Sequence, residues 1–206
     1  MLEAEESVHR EVLTMMFLGK IGDLQKLYSK KECGVYDDAF LYGVCEKTPP
    51  LAKHIVFPPM PSDVMQSMVG SYKQPFPEEL LLLYHTMNGA DLFWTVRFVG
   101  KKGIRIPLSC LSIYGIPLSH DRKNIEPFNI SIEDLNRPEG TPVTWLKFGA
   151  FYYPEDLGNR VDLFVDTEFL KVYAVNHNNI ECSISETWDS IDQCLCSIYD
   201  ELEKCV

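Results

Sequence analysis

Residues 75–94 read PFPEELLLLYHTMNGADLFW, and how this stretch folds decides the class of the whole chain. Four consecutive leucines, Leu80 to Leu83, fit a buried strand, a fragment of a membrane span or one packed helix. The flanks discriminate. Pro77 suits the first turn of a helix, where its missing N–H has no partner to lose. Glu78 and Glu79 follow at the positive end of the helix dipole. Gly89, after Asn88, suits the left-handed residue that ends a helix. Start and stop signals about twelve residues apart predict a short helix, apolar on most sides and therefore largely buried.

Working outward, the period changes at Leu92. LFWTVRFV, KKG and IRIPL predict a hairpin, with LSIYGIPL following. SIEDLN predicts a short helix capped by Ser131. TWLKFGAFYY is a further strand, PEDLGN an acidic loop, and RVDLFVDTEFLKVYAV a second hairpin turning near Asp166 and Thr167. NHNN breaks the pattern. In the last segment Ile184, Trp188, Ile191, Leu195, Ile198, Leu202 and Cys205 alternate spacings of four and three, which predicts an amphipathic helix. Ser183 with Glu186 fits a capping box, with Ser185 as a rival cap.

Towards the N-terminus, Val8, Val12, Met15 and Met16 predict one helix face, resumed at Leu24 and Leu27. DDAFLYGVCEK predicts a second helix capped by Asp37 or Asp38. The prolines of FPPMPSD, Pro58, Pro59 and Pro61, exclude a helix or central strand and read as a joint. The expected organisation is an N-terminal helical extension, residues 1–60, followed by a main domain, residues 61–206. Helices, then a run of strands, then a closing helix place the chain in the α+β class.

Composition narrows the function. At 206 residues with 46% apolar and 24% charged side chains, the chain is ordinary globular protein. No apolar run approaches the roughly 18 residues of a membrane span, and MLEAEESVHR is acidic where a secretory signal is basic and then apolar. The expectation is a soluble cytoplasmic protein, with no membrane association. Seven scattered cysteines without a Cys-x-x-Cys read as reduced thiols. The net charge of −11 disfavours nucleic acid, whose binding rests on neutralising phosphates; it reads first as acidity that keeps the chain soluble, and next as a charge that makes a basic protein partner easier to attract.

Signatures of chemistry are missing. There is no G-x-S-x-G elbow, no Walker A sequence and no G-x-G-x-x-G. His85, in the apolar helix, reads as a hydrogen-bonded core histidine, and HDRKN (120–124) as an exposed turn. No cofactor or metal is expected. Glu155, Asp156, Asp162, Asp166 and Glu168 crowd one region, with Asp162 and Asp166 on one strand face. They read first as a solvated acidic rim, next as a contact surface for a basic protein, and last as a metal or catalytic pair. The final segment adds Glu186, Asp189, Asp192, Asp200, Glu201 and Glu203 as a second acidic face.

FPEELLLLYHTMNGADLF, then SIYGI, then WLKFGAFYYPEDLGNRVDLFVDTEFLKVYAV, then SISETWDSIDQCL resembles the SUKH superfamily over roughly residues 62–200. That superfamily takes in the yeast cell-wall-assembly regulators and many bacterial immunity proteins. The features carrying the resemblance are the proline-started helix ending in Asn88-Gly89, the pair Tyr114-Gly115, and Asp162 or Asp166. It implies a central mixed, mainly antiparallel sheet flanked by helices, without shared catalytic apparatus. The function it implies is neutralising a cognate toxin by direct binding, with a basic toxin domain as partner. A regulatory scaffold unconnected with toxins is the alternative.

Overall fold

The computed structural model describes residues 15–36, 38–47, 50–71, 76–99, 104–115, 129–131, 144–153, 156–178 and 181–205. In chain order the elements are α1 (Met16–Leu27), β1 (Cys33–Tyr36), β2 (Ala39–Lys47), β3 (Pro50–Val56), α2 (Ser62–Ser71) and α3 (Glu78–Thr86). The strands β4 (Ala90–Val99), β5 (Ile104–Ile113), β6 (Asn129–Ser131), β7 (Thr144–Tyr153), β8 (Asp156–Asp166), β9 (Val172–Asn178) and β10 (Glu181–Trp188) follow. Helix α4 (Ile191–Cys205) closes the chain. Ten strands form one sheet in the order β1-β2-β3-β4-β5-β7-β8-β9-β10, with β6 continuing alongside β7. The class is α+β, as expected, but every described pairing is antiparallel, so the sheet is not mixed.

The opening stretch forms the buried helix α3, with Pro77 as its cap residue and Leu80, Leu83 and Tyr84 in the core. The helix stops at Thr86, earlier than the Asn-Gly signal suggests. Gly89 (φ 92°) serves a different purpose: a Cβ there would lie 2.7 Å from the Ile113 carbonyl oxygen and 2.8 Å from the Gly115 nitrogen. Gly115 is tighter still, because its Cβ would fall 2.1 Å from the Asn88 oxygen. The two glycine pairs of the resemblance, Asn88-Gly89 and Tyr114-Gly115, thus press backbone against backbone.

The proline segment is stitched to the same place. Only Phe57 and Met60 carry an N–H in FPPMP, and both donate, to Gly89 O (3.1 Å) and Tyr84 O (2.9 Å). The Asn88 N–H in turn donates to Pro58 O (3.0 Å).

Two helical expectations fail. Residues 39–47 are strand β2, paired Phe40 to Val56, Tyr42 to His54 and Val44 to Ala52, so the N-terminal extension is not helical throughout. A short continuous apolar run such as AFLY satisfies its backbone in a ladder as well as in a helix, and β3 supplies the ladder. The pairing of β3 with β4 carries the sheet across residue 60, and the core also includes residues from both sides. Residues 181–188 are strand β10, and the terminal helix begins only at Ile191. A bulge between Ile184 and Glu186 turns Ile184 towards Val175 and Trp188 towards Val172, on opposite faces. The predicted helix before Met15, the SIEDLN helix beyond Ser131 and the HDRKN turn lie outside the described residues; Ser131, the expected cap, ends strand β6.

The helical layer is held by carboxylates borrowed from neighbouring helices. Ser190 Oγ accepts the Gln193 N–H (3.0 Å) and Gln193 Oε1 accepts the Asp189 N–H (3.1 Å), the box that starts α4. Glu79 of α3 accepts the Ile191 N–H at 2.7 Å. Asp192 of α4 accepts the Met16 and Phe17 N–H groups (3.1 and 2.8 Å), capping α1, whose own residue Met15 offers no side-chain acceptor. Phe17 then packs edge-on against Tyr199. Among the described residues no helix is long and apolar enough to cross a membrane.

Among the histidines whose side chains are described, His54 is buried, whereas His85 is exposed. His54 Nδ1 accepts the Phe93 N–H (3.4 Å), which leaves Nε2 to donate to Tyr28 Oη (3.1 Å). Burial, helped by Lys53, lowers its pKa from 6.5 to about 4.

Two measurements check this account. Gly115→Ala should cost about 3 kcal/mol or more in urea unfolding, because backbone cannot yield to the added methyl. Gly22→Ala, in α1 with open space around it, should gain about 0.5–1 kcal/mol. For His54 the folded pKa is depressed, so its contribution is full above pH 6.5 and lost as pH falls towards 4. His54→Gln, which keeps an acceptor but does not titrate, should remove on the order of 2 kcal/mol of the acid-induced stability loss between those limits.

Candidate functional site

Antiparallel partners share a face, so the register aligns Asp91, Ser112, Ala150, Asp162 and Val175 as one row across five strands. The small residues Ser112 and Ala150 lie between the two carboxylates. Lys147, opposite Phe164, and Arg160, two residues before Asp162, join the same face. This is the densest set of buried charges among the described residues.

Asp162 is 7% exposed and Lys147 8%. Lys147 Nζ donates to Asp162 Oδ2 at 2.6 Å, and Arg160 Nε donates to Oδ1 at 2.8 Å. The Arg160 guanidinium also donates to the Tyr114 hydroxyl. Both cations lie against the Tyr114 ring, Lys147 Nζ at 5.7 Å and the guanidinium carbon at 5.8 Å from its centre. Ser112 Oγ donates to Asp91 Oδ1 at 2.7 Å.

Burial dominates the electrostatics. It pulls the Lys147 ammonium below its ordinary value despite the hydrogen bond to Asp162. It pushes the Tyr114 phenol up to about 12, with Arg160 opposing. It also raises Asp91, against hydrogen bonds from Ser112 and Ser109. For Arg160, burial works against the charge, but Asp162 and the Tyr114 oxygen outweigh it and the pKa rises. The arrangement ties β5, β7 and β8 together through one carboxylate with both oxygens engaged.

The described members of the five-carboxylate group have different surroundings. Asp162 is neutralised internally. Asp166 is 1% exposed, and its Oδ1 accepts the N–H groups of Glu168 (2.9 Å) and Phe169 (3.1 Å), which shapes the β8–β9 turn. Glu168 is exposed. Asp156 opens β8 opposite Tyr153, and Glu155 lies outside the described residues. The acids of the terminal segment disperse likewise: Asp192 caps α1, Asp200 pairs with Lys20 at 2.6 Å, and Glu186 accepts from Tyr153 Oη. Glu201 and Glu203 remain exposed on α4.

Lys147 and Arg160 were missed from the sequence. Lys147 had a signal, since a lone lysine inside the apolar strand WLKFGAF needs a buried acceptor. Among the described residues no group of three or more His, Cys, Asp or Glu is placed to hold a metal ion. Cys33, Cys110, Cys194, Cys196 and Cys205 are free thiols, and burial pushes the Cys196 thiol up to about 11. The chain matches no protein-family model, and no curated protein or solved structure matches it significantly.

Breaking the buried pair should be costly and asymmetric. Asp162→Asn strands a buried ammonium and should cost about 3–5 kcal/mol in urea unfolding. Lys147→Met leaves Asp162 with Arg160 and should cost less. The double variant Lys147→Met/Asp162→Leu should recover most of the loss.

Proposed function

We propose that this chain is a non-catalytic protein-binding module of SUKH type, a bacterial immunity protein that acts in the cytoplasm by covering the active site of a cognate toxin. One observation carries the reading furthest. Asn88-Gly89 and Tyr114-Gly115 meet in a single backbone contact, and Asp162, one of the two aspartates in the resemblance, sits beside Tyr114 through Arg160. Residues used in this way hold strands and helices in place, so recognition falls to other parts of the surface.

Charge adds support. With a net charge of −11 and Glu168, Asp189, Glu201 and Glu203 exposed, the surface suits a basic toxin domain such as a nuclease, which is itself basic because it binds phosphates.

Co-expression with the toxin encoded by the neighbouring gene should restore growth and give a stable complex on gel filtration. The association rate should fall as salt rises, by about tenfold or more between low and physiological ionic strength. Absence of both rescue and complex would overturn the reading. A complex instead with an endogenous envelope or signalling protein would mark a regulatory scaffold.

A further inference from the structure

We propose that the β8–β9 turn, Asp166 to Lys171, is the anchor by which this chain engages its protein partner, inserting Phe169 and Leu170 into an apolar cleft rimmed by cations. The inference deepens the functional reading, resting on the chain's being a protein-binding module, and it is carried by the local geometry of the turn.

Phe169 is 57% and Leu170 53% exposed, adjacent in sequence. Leu170 also has φ 57°, the left-handed conformation that costs a β-carbon-bearing residue about 1–2 kcal/mol. Phe93 adopts the same conformation (φ 55°), but its ring is buried against His54 and Tyr199, each 4.9 Å away. Burial offsets the strain there. At Leu170 strain and apolar exposure coincide, and glycine or asparagine would relieve both. Such a coincidence points to a use outside the chain.

The turn is also rigid. The Asp166 N–H donates to Lys171 O and its carbonyl accepts the Leu170 N–H, both at 2.8 Å. The Asp166 carboxylate holds the next two N–H groups. Asp166 itself is buried opposite Trp145. Apolar side chains on a pre-ordered turn lose little entropy on binding, the property of an interface hot spot.

Charge selects the occupant. Glu168 is exposed beside Phe169, and Asp189, its side chain 86% exposed, stands 3.8 Å from Lys171 and offsets that cation. An apolar knob flanked by the exposed Glu168, with Lys171 offset by Asp189, on a chain of net charge −11, fits a basic cleft and opposes both an acidic surface and a second copy of itself.

The test is photo-crosslinking of the full chain in its own cell, with p-benzoylphenylalanine in place of Phe169 or, as control, in place of the equally exposed Val35. Position 169 should yield one adduct that position 35 does not, with a partner of net positive charge. The purified partner should bind Phe169→Ser/Leu170→Ser about 30-fold or more weakly than wild type, and Glu168→Gln several-fold more weakly. The variants' melting temperatures should match wild type, since these side chains are exposed. No adduct at 169, an adduct to a second copy or to an acidic protein, or unchanged affinity of the double variant overturns the proposal. A basic partner that is not a toxin keeps the anchor and removes the immunity reading. A toxin captured at 35 but not at 169 does the reverse.

Discussion

The contact between the backbone at Gly115 and the Asn88 oxygen is the constraint on which the remaining architecture depends. A Cβ at 2.1 Å is impossible, so the end of β5 and the exit of α3 approach as closely as two chains can. Three consequences follow from that approach. The helix must stop before Asn88. The proline segment must run alongside, where its few N–H groups find Gly89 and Tyr84. Strand β5 must then leave towards β7, where the Tyr114 N–H donates to Phe148 O at 2.8 Å. From the same corner the Tyr114 side chain reaches Arg160, and so the buried charge cluster is built outward from the glycine contact.

The helical layer obeys a second rule, that exposed N–H groups at a helix start need an acceptor. Here the acceptors come from tertiary neighbours: Glu79 for α4 and Asp192 for α1. These carboxylates lock three helices into one arrangement over the core, and they also explain why so acidic a chain shows fewer free acids than its composition suggests. Asp162, Asp166, Asp192 and Asp200 are each committed to a donor within the molecule. The surface that remains acidic is therefore patchy, and Glu168 places one exposed carboxylate in the apolar β8–β9 turn.

Much of the fold was legible. Helix α3, the β4–β5 hairpin, strand β7 and the β8–β9 turn follow from period and turn chemistry within about a dozen residues each. The two errors share a cause. AFLYGVCEK opens on a continuous apolar run, whose period does not separate a strand from a short helix, and Ile184 with Trp188 fits the spacing of either element. In both cases pairing with the neighbouring strand, β3 or β9, settled the matter, and a bulge disguised the period. The capping box was likewise read at Ser183 when an equally good Ser-x-x-Gln stood at Ser190, just before the run that is helical.

The candidate site was half legible. Asp162 and Asp166 stand out in sequence as carboxylates in an apolar strand, but whether such a group faces water or a buried cation depends on what lies across the sheet. Lys147 is fifteen residues away along the chain and one strand away in space. By itself the sequence determined where chain elements start and stop, because proline, glycine, capping side chains and apolar period act over a few residues. Only the tertiary structure decided which acids are neutralised and which apolar side chains are left outside. Those outcomes depend on register and on contacts between residues far apart in the chain, which no local pattern encodes.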